Sequence, residues 1–344
     1  MVAILWILAV GAALVATGFF YQFFGARRDR RLYAGLGRSI DIGDGRKLFL
    51  MEKGAGGPTV VYESGIAATN LNWFHIQEIV SRFACTASYD RGGLGWSSPN
   101  RTARIPSNIA AELHALLEGA GIKPPYILVG HSFGGLVMRR YALLYPEDVA
   151  SVLLVDPMRC EEWPPLNQGK QSEVDRGKRL SRIAIPIARF GLARLAVMSL
   201  LCGSGKVAGR LAWAAGAGAQ HVLRRVKDEV GKMPREVQPI VAAHWSRPAY
   251  YAGMRSHVMA VSDTVREMQD AEPIQGIPVV VLTPGKSTPL SSEMLARIGD
   301  HAQQMIAPAS KHWIHLDEPD LVIESIREMV VAATAEAVAI PVPV

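Results

Sequence analysis

Cysteine is scarce: three in 344 residues, at Cys85, Cys160 and Cys202, widely spaced and without a C-x-x-C pair. That excludes a disulfide framework and a thiolate metal site, and an odd count suits a reducing compartment. No cluster of His, Cys, Asp or Glu has metal-ligand spacing, and no G-x-x-x-x-G-K-[ST] stretch offers a phosphate cradle. No cofactor and no metal are therefore expected. Aromatic residues are 7% of the chain and do not interleave with basic runs, which argues against a nucleic-acid partner. The net charge of +6 is a modest excess of Lys and Arg and reads as a solvated surface. Charge is missing altogether from residues 1–24.

That uncharged stretch contains Val2, Ile4, Leu5, Trp6, Ile7, Leu8, Val10, Leu14, Val15, Phe19 and Phe20. As a helix rising about 1.5 Å per residue it is long enough for a bilayer core. Tyr21, Phe23 and Phe24 follow as an aromatic interface, and Arg27, Arg28, Arg30 and Arg31 as a basic stop. A cleaved signal peptide would have positive charge before its apolar run and a shorter core. The reading is a single uncleaved transmembrane anchor over residues 1–26 and a basic linker over 27–38. The positive-inside rule then places the remainder on the cytoplasmic side.

From residue 39 the pattern changes. Residues 39–42 and 47–52 flank Asp44-Gly45 as a hairpin, and 59–63 form an apolar strand ending in Ser64-Gly65-Ile66. Helical spacing covers 71–82, a strand covers 84–89, and a helix begins near Ser107. Residues 126–129 and 151–155 are further strands. Strands alternating with helices predict an α/β fold with a mostly parallel sheet, in which sites lie at the C-terminal strand ends. Between residues 158 and 273 the alternation gives way to helical patterns mixing apolar residues with Arg179, Arg182, Arg189 and Arg194. This reads as an inserted helical cap. Its composition also suits contact with an anionic bilayer surface. Strand character returns at 278–282 and 304–307, a helix is expected over 291–302, and a final helix over 321–331. The weakly charged tail, 332–344, is expected to fray.

The chemistry is concentrated in Tyr126-Ile127-Leu128-Val129-Gly130-His131-Ser132-Phe133-Gly134-Gly135. An apolar strand runs into a glycine-bracketed serine and then into helical spacing, the pattern of a nucleophile elbow. Taken with Ser64-Gly65-Ile66, with Tyr89-Asp90-Arg91-Gly92-Gly93-Leu94-Gly95-Trp96-Ser97, and with His312-Trp313-Ile314-His315-Leu316-Asp317-Glu318-Pro319, the chain resembles the α/β-hydrolase superfamily over roughly residues 39–331. The resemblance divides it into a hydrolase core, 39–157 and 274–331, and the cap insertion, 158–273, over the active site.

The resemblance implies a serine hydrolase that forms an acyl-enzyme. Ser132 would be the nucleophile, His312 the general base, and the backbone N–H groups of Ile66 and Phe133 the oxyanion hole. His315 is the rival base, better read as packing. His131 is expected to pack beneath the elbow, and the remaining histidines to be structural or superficial. The acid departs from the commonest pattern. The loop Thr283-Pro284-Gly285-Lys286-Ser287-Thr288 holds no carboxylate, and Thr288 stands where most relatives have Asp. Asp156, at the end of the strand after the elbow helix, would replace it, as in haloalkane dehalogenase-like branches; Glu293 is the fallback. Serine at position 132 sets the chain apart from epoxide hydrolases and dehalogenases of this fold, whose nucleophile is Asp.

The expected substrate is a small-molecule or lipid-like carboxylic ester, with thioester or amide as variants. A proline-iminopeptidase-like peptidase, an acyltransferase with the same triad, and a ligand-binding protein without turnover remain the alternatives.

Overall fold

The computed structural model describes residues 1–201, 206, 209–210, 213, 220 and 230–339. Cys202, His221 and the last five residues of the expected tail lie outside them. The chain divides into two compact units, Gly37–Val174 with Ser256–Val344, and Met1–Leu36 with Asp175–Arg255.

The first unit is built on an eight-stranded sheet. Its strands are β1 (Arg38–Asp41), β2 (Lys47–Lys53), β3 (Thr59–Glu63), β4 (Thr86–Asp90), β5 (Tyr126–His131), β6 (Val149–Val155), β7 (Val279–Pro284) and β8 (Ala302–Ala307). Their order across the sheet is β1-β2-β4-β3-β5-β6-β7-β8. The pairings β1/β2 and β2/β4 are antiparallel, and all the others are parallel. The opening hairpin thus forms one edge of an otherwise parallel sheet.

Parallel strands are covered on both faces, so both side-chain sets must be apolar. The central strands obey this. Tyr126 and Leu128 of β5, Val152 and Leu154 of β6, and Val279 and Val281 of β7 share one core. That core includes Leu113, Leu116 and Leu117 of α3 (Pro106–Ala120) and Met138 and Tyr141 of α4 (Phe133–Leu144). The alternate residues Ile127, Val129, Leu153, Val155 and Leu282 face the other core. There they meet Ile76 and Val80 of α2 (Phe74–Val80) and Val322, Ile323 and Ile326 of the last helix, Pro319–Ala339. Successive side chains of a strand point to opposite faces, and here both sets are buried.

Several boundaries differ from the sequence reading. The helical pattern at 71–82 becomes a 3-10 turn, Asn70–Trp73, followed by α2. The helix expected over 291–302 is only Ser292–Ala296, because Gly299 bridges to Ile274 and Ala302 already pairs with Val279 in the sheet. The last helix does not stop at 331 but continues to Ala339. Ala332, Ala333, Ala335 and Glu336 are good helix formers, and nothing before Pro341 interrupts them.

In the second unit, α1 (Val2–Tyr33) carries the apolar run, with its N-terminal half, residues 2–17, exposed throughout. The helix is long and apolar enough to cross a membrane, and its most apolar stretch is not buried by other parts of the chain. It runs through the expected basic linker to Tyr33. The reason is a tertiary ion pair: Arg194 Nη1 lies 2.7 Å from Asp29 Oδ2, and Arg194 Nε donates to Gln22 Oε1 at 2.9 Å. Arg194 belongs to α6 (Leu192–Leu201), which follows α5 (Gln171–Arg189) after a sharp bend. A further helix, Gln238–Trp245, packs on α6 and α1.

Candidate active site

Ser132 is the single residue between β5 and α4. Its φ of 54° and ψ of −120° are strained for a residue with a Cβ. The tightness of the turn explains the glycines. A Cβ on Gly134 would lie 2.6 Å from the carbonyl oxygens of Glu63 and Ser64, and one on Gly130 would lie 2.8 Å from the Gly134 carbonyl carbon. Ser132 N–H donates to the Val155 carbonyl at 3.1 Å, and the Ser132 carbonyl accepts from Gly135 and Met158, each at 3.0 Å. The backbone is therefore pinned on both sides while the side chain stays partly exposed.

The sheet register brings the acid beside it. His131 of β5 pairs with Val155 of β6, so Ser132 and Asp156 leave adjacent strands side by side. Asp156 also has a positive φ, 41°, and its N–H donates to the Leu282 carbonyl at 2.8 Å. Its Oδ2 accepts a 2.7 Å hydrogen bond from His312 Nδ1. That bond assigns the proton to Nδ1 and leaves Nε2 as the basic nitrogen. Of four non-glycine residues with positive φ among the described residues, three are Ala67, Ser132 and Asp156; only Asp44, in the hairpin turn, is remote from these strand ends. Strain of this kind is retained where the surroundings over-determine the backbone.

His312 sits in the loop after β8, and that loop is tied down by the Asp-Glu pair that follows. Lys311 N–H donates to Asp317 Oδ2 at 3.0 Å, while Ala309 N–H and Ser310 Oγ donate to Glu318 Oε1 at 3.0 and 2.6 Å. From beneath, His131 Nε2 donates to the His312 carbonyl at 2.8 Å. His131 is fully enclosed, with the rings of His312, His315 and Trp313 centred 4.7, 4.4 and 4.7 Å away. Burial, reinforced by the neighbouring His315 and His312, pushes its imidazole well below the ordinary histidine range, so it stays neutral. His315 is buried too, its ring stacked 4.6 Å from Trp73.

Phe133 is the first residue of α4, so its N–H has no partner within the helix and lies at the positive end of the helix dipole. The second expected donor, Ile66, follows Gly65, whose Cα approaches the elbow so closely that a Cβ there would be 3.5 Å from Ser132 Cβ. This turn rests on charged groups from β3 and from the residue that follows β4. Arg91 Nη2 donates to the Gly65 carbonyl, and its Nε lies 3.5 Å from Glu63 Oε1. The same Glu63 oxygen accepts from Ser64 N–H at 2.9 Å, and Tyr89 Oη donates to Oε2. Burial raises the Glu63 carboxyl above its usual range, with Arg91 opposing. The Arg91 guanidinium also lies over the Phe133 ring at 5.2 Å. The one available signal was a glutamate ending an otherwise apolar strand. Asp90 holds the glycine turn after β4, accepting from Trp96 N–H at 3.0 Å.

Glu293 is not brought to His312: it is largely exposed and pairs with Arg297 at 2.8 Å, one helical turn on. The Thr288 carbonyl is bound by Arg159 at 2.8 Å.

Residues 58–174 match the family model described as alpha/beta hydrolase fold. The eight-stranded, mostly parallel sheet in the order given above fits that description, with the Ser132 turn after β5. The chain has the α/β-hydrolase fold, and its residues 58–174 carry the match to that family. Uncharacterized protein YqjL of Bacillus subtilis is 32% identical over 105 residues, 30% of this chain and 42% of that protein. The chain thus aligns with less than half the length of this curated relative. Among solved structures, the epoxide hydrolase CorEH superposes with a TM-score of 0.63 at 14% identity, covering 86% of this chain and 98% of that one. A thermophilic esterase from Thermogutta terrifontis superposes with a TM-score of 0.60 at 18% identity, covering 86% and 98%. At such identities these α/β hydrolases share the fold with this chain; their substrates remain their own.

Proposed function

We propose that this α/β hydrolase is a membrane-anchored serine hydrolase that cleaves carboxylic esters through an acyl-enzyme on Ser132. The observation that carries the reading is the 2.7 Å bond from His312 Nδ1 to Asp156, made at the strand end next to the strained Ser132 turn. A serine hydroxyl is protonated at neutral pH and needs a base to become nucleophilic. His312 Nε2 takes the Ser132 proton as Oγ attacks the ester carbonyl. Asp156 stabilises the imidazolium without taking the proton. The developing oxyanion is met by the N–H groups of Phe133 and Ile66. His312 then returns the proton to the departing alkoxide, which leaves as an alcohol. Water, deprotonated by the same imidazole, attacks the acyl-enzyme and releases the acid and free Ser132.

Serine rather than aspartate at position 132 favours acyl transfer over epoxide opening, although an epoxide hydrolase is among the structural neighbours. The esterase neighbour agrees with an ester substrate. An apolar, lipid-like ester suits an enzyme tethered by α1, with Arg27, Arg28, Arg30 and Arg31 holding the sheet unit on the cytoplasmic side. Thioester or amide cleavage and acyl transfer use the same residues, and added alcohol or amine acceptors separate transfer from hydrolysis.

The test is labelling of the purified full chain with a fluorophosphonate, wild type beside Ser132→Ala. Label on the wild type alone is expected. Folded wild type that takes no label overturns the hydrolase reading in favour of ligand binding.

A further inference from the structure

We infer that the bend between α5 and α6 is a second membrane contact, an elbow that dips into the same leaflet as the C-terminal part of α1. This rests on the anchor in the proposed function and on none of its chemistry. The occupant is an anionic lipid bilayer.

The first observation is an uncovered apolar stripe. Leu180, Ile183 and Ile187 of α5, and Phe190 one residue past its end and still bonded to the Pro186 carbonyl, recur at intervals of three, four and three residues and so share one face. All four are exposed, and so are Leu192 and Leu195 at the start of α6. Six exposed large apolar side chains within sixteen residues, bordered by polar ones, are the pattern of an interaction surface. Arg179, Arg182 and Arg189 form a parallel exposed stripe one residue around the helix. An apolar face bordered by arginines is the pattern of a helix lying in an anionic lipid interface, where long basic side chains reach up to the headgroups.

The second observation sets the depth. The helices on either side of the elbow, Gln168–Arg189 and Leu192–Leu200, meet at 97°. Gly191 takes a φ of 77°, and a Cβ there would lie 2.7 Å from the Gly18 carbonyl oxygen and 3.0 Å from Tyr21. The tip of the elbow is therefore held against Gly18 of α1, with backbone nearly touching backbone. Gly18 lies nine residues before Arg27, the first charge on α1. At about 1.5 Å per residue that is roughly 13 Å toward the apolar end. If α1 spans a bilayer with its arginines at the headgroups, the elbow tip is carried below them. The buried Arg194–Asp29 pair and the Arg194–Gln22 bond lock this register, and both lie on the headgroup side of Gly18. The contact is thus continuous with the anchor, and its charge complements anionic lipid.

The test places an environment-sensitive fluorophore at single cysteines in the full chain, with Cys85, Cys160 and Cys202 replaced by Ala. Labels at Leu8→Cys, Leu192→Cys and Arg297→Cys report the anchor, the elbow and a solvent control. The chain is reconstituted in phosphatidylcholine vesicles with and without phosphatidylglycerol, and quenchers are supplied on the acyl chains or in the water. The expected result is a blue-shifted label at 192, quenched from the acyl chains and shielded from aqueous quencher, more so with phosphatidylglycerol. Ile187→Asp with Phe190→Asp should return it to water. A label at 192 open to aqueous quencher, with the label at 8 in lipid, overturns the inference and leaves the anchor standing. Labels at both 8 and 192 in water overturn both. A shielded label at 192 that acyl-chain quenchers do not reach means that protein covers the elbow, and that also overturns the inference.

Discussion

Asp156→Asn separates a working acid from a structural cap. The substitution keeps size and shape but removes the charge facing His312 Nδ1. In the transition state His312 carries a proton on both nitrogens, so the wild-type pair is carboxylate against imidazolium. With the heavy atoms 2.7 Å apart, the charge centres are separated by about 4 Å. At an effective dielectric of about 20 their attraction is about 4 kcal/mol, or about 10³ in rate. An amide at 156 also favours the wrong tautomer, and the equivalent change in a serine protease lowers kcat by about 10⁴. The imidazole is 40% exposed, so solvent screens part of the Coulombic share. The expected loss in kcat/KM on a chromogenic short-chain ester is therefore about 10²–10⁴-fold, mostly in kcat. Thermal unfolding should change little, which separates lost chemistry from lost structure. A folded Asp156→Asn protein that keeps more than a tenth of wild-type activity would refute the reasoning.

Glu293→Gln should leave activity within about twofold, since an exposed i,i+4 pair contributes only tenths of a kcal/mol and does not touch His312; a large loss in the same ester assay would return Glu293 to the site. Arg194→Met strands the buried Asp29 carboxylate and should cost about 3–5 kcal/mol, lowering the melting temperature in detergent or nanodiscs. Adding Asp29→Asn should recover part of that loss, and no recovery would mean that the charge is not what matters. Two imidazoles are buried neutral: His131, driven well below the ordinary range, and His244, lowered by burial to about 3. Both have folded-state values below the unfolded value of about 6.5. Their contribution is complete above that pH and falls as pH drops below it, by up to about 1.4 kcal/mol per pH unit for each group. Denaturant midpoints at pH 7.5 and 5.5 should show the decline, and equal midpoints would contradict it.

What the sequence determined alone is the presence of the elbow and the identity of its strands. Gly130, Ser132 and Gly134 fall within five residues, so the turn is legible locally, although what bars a Cβ at Gly134 is the Glu63 and Ser64 carbonyls of a neighbouring strand. The largely apolar strands at 126–131 and 149–155 likewise announce a sheet buried on both faces. The choice of Asp156 over Glu293 could be proposed from its place at the end of the strand that follows the elbow helix. Its placement needs the register that sets His131 against Val155, and strand register is a tertiary property.

Tertiary structure alone decided the rest. Glu63 and Arg91 are 28 positions apart, and nothing local to either indicates that they would support the Gly65 turn. Only the neighbouring positions of β3 and β4 bring them together. Helix α1 reads from composition as ending at its arginines, yet it continues to Tyr33 because Asp29 finds Arg194 across 165 positions of chain. A charge in isolation prefers water; a charge with a buried partner in good geometry can be enclosed, and that partner is invisible until the chain is folded.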